Sequence, residues 1–328
     1  MAPIIEVKKL KKIFKTHKRE AGLKNAIISL FRRKYVHKEA LKGISFEIEK
    51  GEIVGFIGPN GAGKSTAIKI LAGVLYPSEG YVNVAGYTPW TQREEYVRDI
   101  GVVFGQKHQL WWDLPAIDTF HLHKVIYNIP EADFEKRLNH MITLLDMQEI
   151  IKVPVRDLSL GERMKCQIVA ALLHNPKIVF LDEPTIGLDV VAKDKLRHFI
   201  KEVNEKEKTT FIITTHDMGD IEKLCKRIII INNGSVVYDG LLEKIRSLYL
   251  NKKVFEVKLE EESNKPIKLK GCEVIERKDY SIKIEADTSK IVVKDIINRL
   301  LSDFEIADLI ISDPPIEEII QAIYQRKK

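Results

Sequence analysis

The sequence has no long hydrophobic run. Its apolar stretches are short pieces, such as residues 168–173 and 228–231, whereas crossing a bilayer takes roughly 18 to 20 consecutive apolar residues. Action at a membrane would therefore need a partner that supplies the spans. The N-terminus carries charge within its first ten residues and no apolar run follows, so a secretory leader is not expected. Cysteine is scarce as well. Cys166, Cys225 and Cys272 stand far apart, in neither a metal-ligand spacing nor a disulfide framework, and suit a reducing cytosol.

What is present is the composition of a globular protein. The 328 residues are 45% hydrophobic and 30% charged, enough for one large core plus a smaller domain. The net charge of +6 is unevenly spread: residues 1–42 hold 13 Lys/Arg against 3 Asp/Glu, a local +10 that leaves the remainder near −4. A basic arm of that kind asks for an acidic partner.

Two sequence periods organise the chain. Ile44, Phe46 and Ile48 alternate with Ser45, Glu47 and Glu49, which predicts a half-buried strand. Before it lies an insertion at about 16–37, in which Leu23, Ile27, Leu30 and Phe31 share one face of a short basic amphipathic helix. Residues 65–74 and most of 110–175 read as helical, with Phe134, Leu138, Met141 and Leu145 on one face. Short, wholly apolar strands at 53–57, 178–181, 211–214 and 228–231 are separated by helices. That alternation predicts a mostly parallel sheet covered on both faces, an α/β class. From about 251 to 328 the character changes. Phe255, Val257 and Leu259, then Ile282 and Ile284, alternate with charged residues, and a helix (291–301), a strand (307–311) and a helix (316–324) follow. This predicts a main domain over 1–250 and a small α+β domain with an antiparallel sheet over 251–328.

The sharpest chemical signal is Gly58-Pro59-Asn60-Gly61-Ala62-Gly63-Lys64-Ser65-Thr66. It fits the phosphate-binding pattern G-x-x-x-x-G-K-[ST] with a strand before it and a helix after it. Glycines let the backbone wrap an anion with several N–H groups inward, and the helix N-terminus adds its dipole. Lys64 would reach the outer phosphates, and the Ser65 hydroxyl would ligate Mg2+. A second signal is the apolar strand that ends in Asp182-Glu183, delivering two carboxylates where open α/β sheets bind ligands. Asp182 would hold Mg2+, directly or through water. Glu183 would polarise the attacking water as general base.

At these residues the chain resembles the ATP-binding cassette (ABC) ATPases, over about residues 4–245. Gln106, in Val-Val-Phe-Gly-Gln, looks like the Q-loop glutamine that touches Mg2+ and the attacking water. Leu158-Ser159-Leu160-Gly161-Glu162 looks like the signature LSGGQ, Gly187-Leu188-Asp189 like the D-loop, and Thr215-His216-Asp217 like the switch-histidine turn. The signature departs from the pattern in two places, Leu160 for Gly and Glu162 for Gln. Ser159 and Gly161, which supply the hydroxyl and the close backbone approach, are retained. Without the family, Ser-x-x-Glu ahead of an apolar helix reads as a capping box, with Glu162 turned away from any triphosphate. For the aromatic that stacks on adenine, Phe14 is favoured over Tyr35.

The resemblance implies an ABC-type nucleotide-binding fold, with a mostly parallel core sheet, an antiparallel β subdomain and a helical subdomain. It implies ATP hydrolysis with Mg2+ by two copies closing head to tail, each completing the other's site through Ser159 and Gly161 of the signature, with Asp189 of the D-loop a further nucleotide-binding residue. A single cassette without spans resembles the ATPase subunit of a transporter in the drug-exporter-like (daunorubicin resistance) branch, working with a separate permease from the inner face of the cell membrane. A soluble ABC machine acting on protein or nucleic acid is the alternative. Nucleic acid is not expected as a partner, since the basic arm is poor in aromatics. That arm would rest on anionic lipid, on the permease or on its own domain. Trp111 and Trp112, just past the Q-loop, either anchor the permease or are buried in the helical subdomain. The cargo is not written in this chain.

Overall fold

The structure is a computed structural model that describes residues 2–17, 35–105, 109–247, 251–263, 265–267 and 269–325. The amphipathic helix expected at 23–31 and Gln106 lie outside the described residues. The chain divides into two compact units, Met1–Gly240 and Leu241–Lys328.

The first unit is built on a six-stranded sheet. Its strands are β3 (Ile53–Ile57), β5 (Ile100–Phe104), β6 (Ile178–Asp182), β7 (Thr210–Thr214), β8 (Arg227–Asn232) and β9 (Ser235–Leu241), in the order β5-β6-β7-β3-β8-β9. The pairs β5–β6, β6–β7, β7–β3 and β3–β8 are parallel. β6, β7 and β8 are buried almost throughout, which is why they read as continuous apolar runs without alternation. A three-stranded antiparallel sheet, order β2-β1-β4, is formed by β1 (Ile5–His17), β2 (Tyr35–Ile48) and β4 (Glu79–Val84). Residues 16, 17 and 35–37, assigned to the insertion by pattern, are strand ends that pair across β1 and β2.

Between the two sheets lies α1 (Lys64–Leu71), whose Ala67, Ile68, Ile70 and Leu71 are buried. They join Val7, Ile44, Phe46, Phe56 and Phe180 in one core, with the Phe46 and Phe56 rings 5.6 Å apart. Each such large apolar side chain stabilises the fold by about 1.5–3 kcal/mol through its removal from water. After α2 (Arg93–Tyr96), the helical subdomain holds α3 (Ala116–Ile126), α4 (Glu131–Leu144) and α5 (Leu160–Leu172). The expected face of α4 is buried as Phe134, Leu138 and Met141, and Leu145 beyond its end is buried too. α6 (Val190–Glu207) and α7 (Met218–Leu224) flank β7.

The second unit opens with α8 (Leu242–Ser247). Its antiparallel sheet has the order β11-β12-β10-β13, from β10 (Lys252–Leu259), β11 (Cys272–Lys278), β12 (Ser281–Asp287) and β13 (Ile306–Ser312). α9 (Val293–Asp303) lays Ile296 and Leu300 on Phe255, Val257, Ile282 and Ile284, and α10 (Ile316–Gln325) follows. This is an α/β fold with a mostly parallel sheet, an antiparallel sheet and helices, joined to a small α+β unit.

Candidate functional site

The loop between β3 and α1 is shaped by two close approaches. A Cβ on Gly58 would stand 2.1 Å from the carbonyl oxygen of Ile231, and one on Gly63 would stand 2.6 Å from that of Ala40. Gly61 meets nothing but holds φ +79°, a left-handed turn that suits glycine. Ala40 is the extra residue of a bulge, since Lys12 pairs with Leu41 and Ile13 with Glu39. The bulge presses β2 against the loop and against Gly234. α1 begins at Gly63 with no side-chain cap, so its first N–H groups are left for an anion. Lys64 Nζ curls over the loop and donates to Gly58 O at 2.6 Å and Pro59 O at 3.2 Å. Burial pushes its pKa down, while the charges of Asp182 and Glu183 pull it up.

Asp182 ends β6, paired with Thr214 on β7, whose hydroxyl donates to its Oδ1. Glu183 follows in the left-handed region at φ 55°, a position few residues with a Cβ occupy. Its N–H donates to Thr214 O at 2.8 Å. The Glu183 carboxylate meets His216 from the end of β7, with Nδ1 3.2 Å from Oε1. A carboxylate here can only accept, so the proton belongs on Nδ1. Gly105, just before Gln106, would put a Cβ 2.6 Å from Asp182 O, so the chain leaving β5 passes against the end of β6.

Ser159 and Glu162 form the capping box that the spacing implied. Ser159 Oγ accepts from the Glu162 N–H at 3.2 Å, and Glu162 Oε2 accepts from the Ser159 N–H at 2.8 Å. Gly161 is buried against the next motif, where a Cβ would lie 2.8 Å from Leu188 Cδ2 and 2.9 Å from Gly187 O. Leu160, which departs from the family pattern, folds over Gly187. Asp189 caps α6, accepting from the Ala192 N–H at 2.8 Å. The segments 158–162 and 187–189 of one chain therefore pack on each other.

Phe14 is half-buried on β1 beneath the Lys12 ammonium, 5.2 Å from the ring centre. It pairs with Lys38, two residues from the Ala40 bulge. The side chain of Tyr35 is outside the described residues. Trp111 and Trp112 are 51% and 40% exposed, so burial in the helical subdomain is ruled out for both. The Arg163 guanidinium stands 5.2 Å over the Trp112 ring.

A family model described as "ABC transporter" matches residues 41–186. The ABC transporter ATP-binding protein NatA of Bacillus subtilis is 34% identical over 207 residues, which are 63% of this chain and 84% of NatA. The chain belongs to the ABC transporter ATP-binding proteins. It is an ATPase, the ATP-binding subunit of a transporter. The linearmycin resistance ATP-binding protein LnrL of the same organism is 33% identical over 64% of this chain and 67% of its own length. Two solved structures of ABC ATP-binding proteins are similar to this chain. One, described as the ATP-binding subunit of an ABC transporter, has TM-score 0.63 and 27% identity, covering 75% of this chain and 93% of its own. The other, a dimeric post-hydrolysis cassette bound to ADP and Pi, has TM-score 0.60 and 26% identity, covering 73% and 98%. No helix among the described residues is long and apolar enough to cross a membrane.

Thr214 belongs to none of the motifs. Its place beside Asp182 comes from the register of β6 on β7, which no local spacing reveals.

Proposed function

We propose that this ABC subunit hydrolyses Mg2+-bound ATP as a homodimer on the cytoplasmic face of the cell membrane, where it drives a separate permease in the direction of export. The observation that carries the reading is the convergence of Lys64, Asp182, Glu183 and His216 at the ends of β3, β6 and β7.

The residues present suit the nucleotide and its metal. Gly58 and Gly63 let the loop pack against the Ile231 and Ala40 carbonyls where no Cβ fits, and the loop 58–66 ends in Ser65 and Thr66 on an uncapped helix N-terminus. The hydroxyl of Ser65 and the carboxylate of Asp182 are hard oxygen donors of the kind Mg2+ takes beside phosphate oxygens and water, and Gln106 would add a third. The metal would neutralise phosphate charge. Lys64 exchanges its bonds to Gly58 and Pro59 for the outer phosphates. Glu183 takes a proton from the attacking water, and His216, donating through Nδ1, holds the carboxylate in line. Phe14 covers the adenine.

Ser159, Gly161 and Asp189 act on the nucleotide held by the second copy. The surface around them supports that role: Leu160, Val190 and Val191 are large apolar side chains left exposed beside the Asp189 cap. Trp111, Trp112 and Leu114 are large apolar side chains left exposed within four positions of the chain, and they would anchor the permease. Export is supported by the likeness to the linearmycin resistance protein.

The test is a pull-down of the tagged chain from detergent-solubilised native membranes, with mass spectrometry and an ATPase assay of the recovered complex. A multi-span protein in near-stoichiometric amount is expected. Recovery of soluble proteins or nucleic acid alone would leave the ATPase and remove the permease.

A further inference from the structure

Among the described residues one carboxylate is buried completely, and it belongs to none of the motifs above. Asp220, on α7, is 0% exposed. Its two oxygens accept from four donors on three other segments. Oδ1 takes Arg197 Nε at 2.8 Å together with Arg197 Nη2, and Oδ2 takes the hydroxyls of Thr185 and Thr215, the latter at 3.2 Å. A carboxylate has about four acceptor sites, so Asp220 is saturated by side chains.

The donors come from informative places. Thr185 is two residues after Glu183. Thr215 is the residue before His216. Arg197, 7% exposed, sits on α6, the helix that Asp189 caps, and reaches Asp194 through Nη1 at 2.8 Å. Thr215 Oγ1 also accepts from the Asp217 N–H at 3.0 Å, which pins the turn just past His216. One carboxylate thus ties together the loop after the base, the turn carrying the histidine and the helix after the D-loop.

We propose that Asp220 is a positioning residue for hydrolysis, holding Glu183 and His216 in register through Thr185 and Thr215. The proposal rests on the assignment of Glu183 and His216 to water activation. A buried ion pair is a poor source of net stability, because desolvation offsets its attraction and an apolar pair often serves as well. What this one provides is geometry. The Glu183–His216 contact joins the ends of two neighbouring strands, and Glu183 occupies an uncommon backbone conformation that neighbours must maintain. Misplacement by about 1 Å can cost a hundred-fold in rate.

The test uses the full chain with Mg2+ and ATP. Asp220→Asn leaves Arg197 without its charge partner and risks misfolding, so the decisive variants are Thr185→Val and Thr215→Val, which keep the Arg197–Asp220 pair. The expected result is a fall in kcat of about ten-fold or more for the double variant, with KM for ATP unchanged, a thermal midpoint lowered by the two buried hydrogen bonds that Asp220 loses, and recovery of most of the rate in Thr215→Ser. Adding the two valines to Glu183→Gln should lower the residual rate no further. Unchanged kcat in the double variant, or a rise in KM that accounts for the loss, overturns the positioning role. Glu183→Gln run alone separates the two levels: if it is inactive while the valine variants turn over normally, only the positioning proposal falls. If it hydrolyses ATP at the full rate, the assignment of the base falls and the proposal with it.

Discussion

His216 Nδ1 stands 3.2 Å from Glu183 Oε1 although the two residues are 33 positions apart in the chain. The contact exists because β6 and β7 are parallel neighbours that end together, with Asp182 opposite Thr214. Held this way, the base proposed at Glu183 should fail when its charge is removed and its shape kept. Glu183→Gln is expected to lower kcat by about 10²–10⁴-fold, with ATP still bound. Size-exclusion chromatography with ATP should then show a persistent dimer. A variant that hydrolysed ATP normally would end the general-base assignment.

The packing of residues 158–162 on 187–189 has a cost that can be measured. Gly161 faces Gly187 O and Leu188 Cδ2 with no room for a methyl group. Leu188 can rotate away, whereas the Gly187 carbonyl is backbone and must move with the turn that leads to Asp189. Gly161→Ala is expected to cost about 1–3 kcal/mol of stability, as overpacking does, read as a lower urea midpoint. Ser159→Ala loses the cap bond to the Glu162 N–H and should cost about 0.5–2 kcal/mol. If Gly161→Ala proved neutral, the close approach would not persist in solution.

Where the chemistry is carried by neighbours in sequence, it was legible. The phosphate loop declares itself because turn, lysine and hydroxyl are contiguous, and the Ser159–Glu162 box because a cap spans one helical turn. What escaped depends on register between distant segments. Thr214 lies beside Asp182 only through strand pairing, and the Ala40 bulge that shapes Gly63 breaks the alternation that would have marked it. β11 was invisible for a related reason. It is an edge strand with residues 273–276 all exposed, so no buried face imposes a two-residue period. The exposure of Trp111 and Trp112 was undecidable by pattern, because a tryptophan pair is equally at home in a core and at an interface.

That exposure leads to a coupling prediction. Trp112 shares its ring with the Arg163 guanidinium on α5, yet both tryptophans leave much of their surface to solvent. The double variant Trp111→Ala/Trp112→Ala is expected to retain ATP affinity and the ATPase rate of the isolated subunit. Recovery of the multi-span partner from membranes should fall about ten-fold or more, the usual consequence of removing buried aromatic anchors. Undiminished recovery would place the permease contact elsewhere.

The last prediction concerns acid. His174, just beyond α5, stacks on Tyr127 with ring centres 4.0 Å apart and donates from Nε2 to Ile100 O at 2.9 Å. Its Nδ1 is buried with no hydrogen-bond partner among the described residues, so a second proton would have no acceptor there. Burial pushes its pKa down to about 4, against the smaller pull of the Ile100 carbonyl. Neighbouring His123 is also pushed down by burial. In the unfolded chain His174 regains an ordinary value near 6.5, so between pH 6.5 and 4 the unfolded state binds a proton that the folded state does not. Stability is therefore full above about pH 6.5 and falls as the pH drops towards 4, by about 2 kcal/mol from this group between pH 7 and pH 5. His174→Gln can still donate to Ile100 O but cannot titrate. Urea unfolding at both pH values should show the variant losing less stability on acidification than the wild type, by about that 2 kcal/mol. Equal losses in the two proteins would mean that His174 is not held neutral by the fold.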